Sequence, residues 1–294
     1  MPFRFKKKES VAKAVRRLCS ERLDDALETL EKGARFQAVH EVRKEIKKLR
    51  SVLRLIRREI GKNTYAEHTR ALRQAANLLT DFRDAQVKLN AFDGLTKYFH
   101  RKPPFPPFPE IKAALQKNCI AEERKLAHSV AALKGILTTS KKRLDNLKIE
   151  AKGWKVIAPG LKRIYSRGRE SCEIARDSQS PEKFHEWRKR VKDLWLQLRL
   201  LCPAGPRRLR ERTKQLETLG SVLGDDHDLF MLGKFVTNHF KGTQNASILH
   251  ELIDSRQQEL HSAALKLGRK FYRERTGHFC RQIEDYWKTW RNKG

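Results

Sequence analysis

The sequence has few of the features that mark secreted or membrane-spanning proteins. Its five cysteines are widely spaced and never form Cys-x-x-Cys, which is typical of reduced thiols rather than of a disulfide framework or a zinc site. No stretch approaches the roughly 18 uncharged apolar residues of a transmembrane helix. The first residues are basic and no apolar segment follows them, so we expect no signal peptide and a cytoplasmic location.

The sequence also has little glycine and proline, with 15 and 10 residues of 294. No alternating run of β-branched residues flanks a tight turn, which excludes an obvious β-sheet. Long segments rich in Leu, Ala, Lys, Arg and Glu are interrupted at few places, among them the proline-rich segment 103–109. The sequence therefore predicts an all-α protein, with helices near 10–32, 35–60, 64–79, 81–100, 109–139, 155–178, 181–202, 206–223, 226–241 and 246–290.

Positive charge is what the sequence has in excess. It contains 65 Lys and Arg against 35 Asp and Glu, which gives a formal net charge of +30, and both halves of the chain are basic. Such an excess repels itself in a compact protein and indicates a polyanionic partner, namely nucleic acid, an anionic membrane surface or inorganic polyphosphate. No helix pairs a basic face with a stripe of Trp and Phe, so we expect no membrane partner.

One segment occurs twice. HEVRKEIKKLRSVLRL begins at His40 and HEWRKRVKDLWLQLRL begins at His185, with nine identities in sixteen ungapped positions. A shorter similarity follows each copy, at 79–87 and 223–231, and aligns Asp84 with Asp228. The repeat predicts two similar halves, over about 10–150 and 151–290, packed as two antiparallel helical bundles around a pseudo-twofold axis.

Each copy places its basic residues on one helix face, opposite an apolar face. A solvated helix face normally mixes acids and bases at i,i+4 spacing, which stabilises the helix by roughly 0.2–0.5 kcal/mol per pair. Neither basic face contains an acid, and pairs such as Arg43 and Lys47 repel each other. Arg, Lys and His donate well to phosphate oxygens, whereas base readers add aromatic or amide side chains that these faces lack. The faces therefore predict a site for a phosphate chain without bases.

The motif His-x-x-Arg-Lys-x-x-Lys-x-Leu-Arg-x-x-Leu-Arg resembles the CHAD family, the conserved histidine α-helical domain, and the resemblance runs from about Ser10 to about Trp290. It implies a single domain over 1–294 that binds inorganic polyphosphate in a basic cavity between its two bundles, with no cofactor and with association with polyphosphate granules. Carried over by position, the implied polyphosphate-binding residues are His40, Arg43, Lys44, Lys47, Arg50, Arg54, His185, Arg188, Lys189, Lys192 and Arg199.

The second copy of the motif departs from the family pattern at one end. Trp195 stands where the first copy has Arg50, and Leu196 falls within the predicted basic arc. We therefore expect the first copy to offer the longer charged track for a polyanion.

Two further groups of residues suggest chemistry. His40-Glu41 and His185-Glu186 vaguely resemble phosphoacceptor histidines, but no glycine-rich nucleotide-binding segment accompanies them, so we expect no enzyme. The segment Asp225–Asp228 follows Gly224, a pattern that is typical of a helix start. We therefore expect these acids to cap a helix and not to bind a metal. Asp84 and Asp228 are also predicted to orient basic side chains. Nucleic-acid binding by a basic helical protein is the alternative function.

Overall fold

The computed structural model describes residues 2–33, 36–99 and 107–292, and the predicted proline-rich segment 103–109 lies mostly outside them. The described residues form eleven α-helices and one 3₁₀ helix, without a strand. The helices are α1 (Val11–Glu31), α2 (Phe36–Leu55), α3 (Arg57–Ile60), α4 (Lys62–Asn77), α5 (Thr80–Phe99), α6 (Pro109–Asp145), α7 (Trp154–Ser178), α8 (Pro181–Leu201), the 3₁₀ helix η1 (Cys202–Ala204), α9 (Arg207–Phe240), α10 (Gln244–Phe271) and α11 (Thr276–Asn292). The predicted all-α fold is confirmed.

The helices pack mainly as antiparallel neighbours along the chain. α1 packs on α2 and α6, whereas α7 packs on α8 and α11. α9 lies against α8, α5 and α10, and therefore links the two halves of the chain. None of the helices in the described ranges combines the length and the apolar character that crossing a bilayer requires. The pseudo-twofold relation between 10–150 and 151–290 stays a prediction.

The apolar faces of the two repeated helices are buried, as the helical spacing predicts. In α2, Val42 and Leu53 have no exposed surface, and in α8 the same holds for Trp187, Val191 and Leu198. These side chains belong to one hydrophobic cluster that runs through both halves of the chain. Because each apolar face is fixed in this core, the opposite, basic face of each helix is directed away from it.

α7 crosses the carboxyl end of α2 at very short range. A Cβ atom on Gly160 would lie 1.9 Å from the carbonyl oxygen of Leu55, so only glycine fits at this crossing. One turn further along α7, the Arg163 Nη2 donates to the carbonyl oxygen of Arg54 at 2.9 Å. These two contacts fix the end of the first repeated helix against the second half of the chain.

The predicted helix break near Gly224 is wrong. α9 runs unbroken from Arg207 to Phe240, so Asp225–Asp228 lie in the middle of a helix and the capping role predicted for them is wrong too. The buried Asp226 carboxylate instead accepts hydrogen bonds from Gln257 Nε2 and His261 Nε2 of α10, each at 2.8 Å. Partners from a neighbouring helix therefore satisfy this acid without a helix terminus.

The predicted helix over 246–290 is two helices. α10 ends at Phe271, and α11 begins at Thr276. The turn between them is held by Glu274, whose carbonyl oxygen accepts from the Tyr165 hydroxyl at 2.9 Å and whose carboxylate pairs with Arg212. The turn contains neither glycine nor proline, so the sequence does not indicate it. The contacts with Tyr165 and Arg212 stabilise it instead.

Candidate functional site

The basic faces of α2 and α8 meet beside α5. The crowding of cations at this meeting point is clearest at Lys47 of α2. Desolvation by the surrounding protein and repulsion from nearby cations lower its pKa to about 7, and these cations are Arg43 on α2, Arg188 and Lys192 on α8, and Arg83 on α5. The Lys47 side chain is nevertheless accessible to solvent, so it is surrounded by protein on most sides and open on one. We call Arg43, Lys47, Arg83, Arg188 and Lys192 the basic cluster.

Several cations at this site lack anionic partners. Among the described residues, neither Lys47 nor Arg188 takes part in a hydrogen bond or an ion pair. The Nε atoms of Arg43, Arg50 and Arg188 are buried without a hydrogen-bond partner in the described part of the chain. Buried donors without partners are destabilising, and anionic oxygen atoms would satisfy them.

Arg43 is the member of the cluster that is fixed to the protein backbone. Its Nη1 donates to the carbonyl oxygen of Ala76 at 2.8 Å and to the Thr80 hydroxyl at 3.0 Å. Burial and the nearby Arg83 lower the Arg43 pKa. Arg43 therefore ties α2 to the end of α4 as well as contributing charge to the cluster.

Arg83 is a cluster residue that the sequence analysis did not assign to the site. It donates to Asp84 at 2.9 Å and to Asp228 at 3.4 Å, so the two carboxylates predicted to orient basic side chains both contact this arginine. The one signal in the sequence is the alignment of Arg83 with His227 in the shorter repeat. The alignment of a charged residue with a titratable one indicates that Arg83 and His227 occupy similar positions in the two halves. It does not show which face of α5 Arg83 occupies.

His185 and His227 form a stacked pair at the edge of the cluster, with ring centroids 3.8 Å apart and planes at 26°. Burial, together with neighbouring cations, lowers the pKa of His185 to about 4 and that of His227 to about 3. Both rings are therefore neutral at pH 7, and their Nδ1 atoms are buried without partners. His40, the counterpart of His185, is largely exposed on α2, and partial desolvation by the neighbouring protein atoms is the main cause of its lowered pKa.

Lys44 and Lys189 lie at the rim of the site rather than inside it. Both are exposed and each pairs with a glutamate one turn earlier, Lys44 with Glu41 at 3.0 Å and Lys189 with Glu186 at 2.5 Å. Glu41 and Glu186 lie outside the predicted basic faces, but their side chains are long enough to contact the two lysines. The two lysines are therefore partly neutralised in the free protein.

Arg54 acts as a tie between the two repeated helices. Its Nη1 lies 2.5 Å from the carboxylate of Asp193 on α8. Asp193 is buried, and burial raises the pKa of its carboxyl although Arg54 and Arg190 oppose that shift. Arg50, one turn earlier, has its pKa lowered to about 10 by burial and by Arg54. Arg54 therefore pairs with Asp193, whereas the Arg50 Nε has no hydrogen-bond partner among the described residues.

Trp195 occupies the end of the α8 face between two cations. Its ring centroid lies 5.2 Å from Lys192 Nζ and 4.8 Å from the Arg199 guanidinium carbon. The expectation that Leu196 interrupts the basic arc is wrong, because this side chain is 6% exposed and packs in the core. The second basic face is therefore shortened by Trp195 alone.

The tie between α2 and α8 gives a stability prediction. We expect Arg54→Met to lower the free energy of unfolding by about 3 kcal/mol, because it leaves a buried Asp193 carboxylate without its ion-pair partner. Urea denaturation of the variant measures this change. The double variant Arg54→Met, Asp193→Leu should recover most of the loss, and no recovery would show that Arg54 stabilises the fold by other contacts.

The described residues contain no group of three or more His, Cys, Asp or Glu side chains placed to hold a metal ion. The five cysteines are free thiols. The basic cluster itself presents guanidinium and ammonium groups, with the imidazoles of His185 and His227 and the carboxylates of Asp84 and Asp228 beside them.

The chain belongs to the CHAD family, because the family profile for the CHAD domain matches residues 14–237. Its fold is similar to the crystal structure of the CHAD domain from the plant Ricinus communis, with a TM-score of 0.72, 15% sequence identity, and coverage of 94% of this chain and 96% of that chain. A comparison with curated proteins gives no significant match. The CHAD family is associated in general with polyphosphate binding.

Proposed function

We propose that this protein binds inorganic polyphosphate, without catalysing a reaction on it, at the basic cluster formed by α2, α5 and α8. The observation that carries the proposal is the convergence of basic side chains from three helices, in which the buried Nε atoms of Arg43 and Arg188 have no hydrogen-bond partner among the described residues. The lowered pKa of Lys47, caused by desolvation and by repulsion from these cations, agrees with it. A bound polyanion satisfies these donors and reduces this repulsion. Binding in the cytoplasm, with association with polyphosphate granules, is part of the proposal.

The donor geometry supports a phosphate chain as the ligand. Arginine offers a planar fork to two phosphate oxygens, whereas lysine offers a mobile point charge. The cluster contains both kinds of donor on three helices, so successive phosphates can meet different helices. Neutral His185 and His227 can each donate one more hydrogen bond, and a nearby anion favours their protonated form.

A competition titration tests the ligand class against the alternative of nucleic-acid binding. Fluorescent polyphosphate would be bound to the protein and displaced by unlabelled polyphosphate, tRNA or duplex DNA at one salt concentration. We expect unlabelled polyphosphate to displace the probe at concentrations at least ~10-fold lower, per phosphate, than either nucleic acid, a difference of about 1.4 kcal/mol. Equal or better displacement by tRNA or DNA would favour the alternative function.

A second test concerns catalysis. The protein is incubated with a labelled phosphodonor, and we expect no acid-labile label on the chain and no release of orthophosphate from polyphosphate. Label that disappears in His185→Gln would identify a phosphohistidine and overturn the non-catalytic proposal.

The affinity should depend steeply on salt. If each of the five cluster cations neutralises one phosphate, the log–log slope of affinity against salt is about −3.5, taking roughly −0.7 per phosphate by analogy with single-stranded nucleic acids. Titrations at several salt concentrations give this slope directly. A slope near zero would show that the bound phosphates do not displace counterions at these cations.

A further inference from the structure

A pocket of about 380 Å³ lies next to the basic cluster, between α5, α9 and α10. Its walls are largely apolar and include Val87, Ala91 and Leu95 of α5 and Leu229 of α9. This volume is within the range of small-ligand sites in proteins. An apolar lining cannot solvate the charges of a phosphate chain, so the pocket suits an uncharged part of a ligand.

Two carboxylates stand where the pocket meets the cluster. Asp228 lines the pocket and also accepts from Arg83 at 3.4 Å, so the pocket and the cluster share this side chain. Asp225 lines the pocket as well, and among the described residues it has no hydrogen bond and no ion pair. Asp225 is exposed and Asp228 is partly buried, and desolvation by the neighbouring protein atoms raises the pKa of both carboxyls.

These carboxylates restrict what the pocket can hold. They repel phosphate, so a phosphate chain would not continue from the cluster into the pocket. They accept hydrogen bonds from hydroxyl and amino groups, such as those of a ribose and a nucleobase. Tyr98 and Arg256 also line the pocket, and the Arg256 guanidinium carbon lies over the Tyr98 ring, 4.0 Å from its centroid. The planar guanidinium of this stacked pair is a group on which a base can stack.

We propose that the site accepts nucleoside 5′-polyphosphates, with the phosphates on the basic cluster and the nucleoside in the adjacent pocket of α5, α9 and α10. This inference rests on the proposed function, because the cluster must bind the phosphates.

The test compares ATP with inorganic tripolyphosphate, both in EDTA, by isothermal titration calorimetry. Tripolyphosphate carries more negative charge at neutral pH, so electrostatics alone predicts that it binds more tightly. We expect the opposite order, with ATP about tenfold tighter, because the nucleoside adds hydrogen bonds to charged carboxylates.

Gly94 allows the pocket to be filled without disturbing the fold. It lines the pocket, and a Cβ atom at this position would meet no heavy atom within 4 Å. We expect Gly94→Phe to remove the preference for ATP and to leave the affinity for tripolyphosphate unchanged. Gly135→Phe on α6 is the matched control, because its Cβ also meets nothing within 4 Å and it lies outside the pocket.

A second variant tests the carboxylate without filling the pocket. Asp225→Asn keeps the size of the side chain, and we expect it to reduce the preference for ATP several-fold. If tripolyphosphate binds at least as tightly as ATP, or if the preference survives both Gly94→Phe and Asp225→Asn, the nucleoside inference is overturned and the proposed function stands. If neither ligand binds but long polyphosphate does, the nucleoside inference alone is overturned, and if long polyphosphate does not bind either, the proposed function fails as well.

Discussion

Replacing Lys47 and Arg188 together by methionine is expected to weaken polyphosphate binding about a hundredfold or more. Each charge-assisted hydrogen bond is worth about 1.5–3 kcal/mol, so the loss of two corresponds to at least two decades in affinity. These two cations are chosen because neither has a hydrogen bond or ion pair among the described residues. Fluorescence anisotropy with labelled polyphosphate measures the change.

The same double variant should not be less stable than the original protein. Desolvation by the surrounding protein lowers the pKa of each side chain, and Arg83 repels both, so their removal relieves a desolvation cost and repulsion. Asp228 attracts Arg188 from nearby and offsets part of this gain. Lys266→Met with Arg281→Met is the matched control, because it removes the same net charge from exposed positions on α10 and α11. If the control loses as much affinity as the cluster variant, binding depends on net charge and not on the cluster. Unfolding of the cluster variant would show that the two cations are structural.

Polyphosphate affinity is expected to fall as the pH rises from 7 to 9, by up to about tenfold per pH unit. Because the Lys47 pKa is about 7 in the free protein, the lysine becomes neutral over this range and must take up a proton to bind an anion. Long polyphosphate is the suitable ligand, since its internal phosphates remain ionised throughout. Lys47→Met should flatten the dependence, and an unchanged slope in this variant would assign the titration to another group.

The stability of the free protein should change with pH in the opposite direction. Lys47 has an ordinary pKa of 10.5 and a folded-state pKa of about 7, so between these values the unfolded chain binds more protons than the native protein. The free energy of unfolding therefore rises with pH across this window, and the destabilisation by the charged lysine is complete below pH 7. Thermal melts at pH 6 and pH 9 should show that Lys47→Met raises the melting temperature more at pH 6.

The sequence predicts the helical class and the faces of the repeated helices because these depend on local spacing. Val42, Leu53 and Trp187 follow the helical period and are buried as expected. The boundary at Gly224 could not be predicted, because Gly-Asp-Asp normally marks a helix start. There the glycine instead lies beside Arg188, whose guanidinium would be 3.6 Å from a Cβ atom.

The site was predicted less completely than the fold. The faces of α2 and α8 contain most of the basic cluster, but Arg83 belongs to a helix whose orientation depends on packing against α6 and α9. Arg54 also pairs with Asp193 across the two repeated helices, and the sequence pattern does not indicate this contact. Contacts between helices far apart in the chain decide both outcomes, and a helical period contains no information about them.

The joining of α2 and α8 has a consequence for folding kinetics. Lys47 and Arg188 belong to opposite halves of the chain, so their repulsion arises only where α2 and α8 come together. We therefore expect this repulsion to oppose the non-local pairing of α2 and α8 and not the formation of the individual helices. We expect a bound polyanion to reduce the repulsion between the two helices, so that refolding is faster when polyphosphate is present.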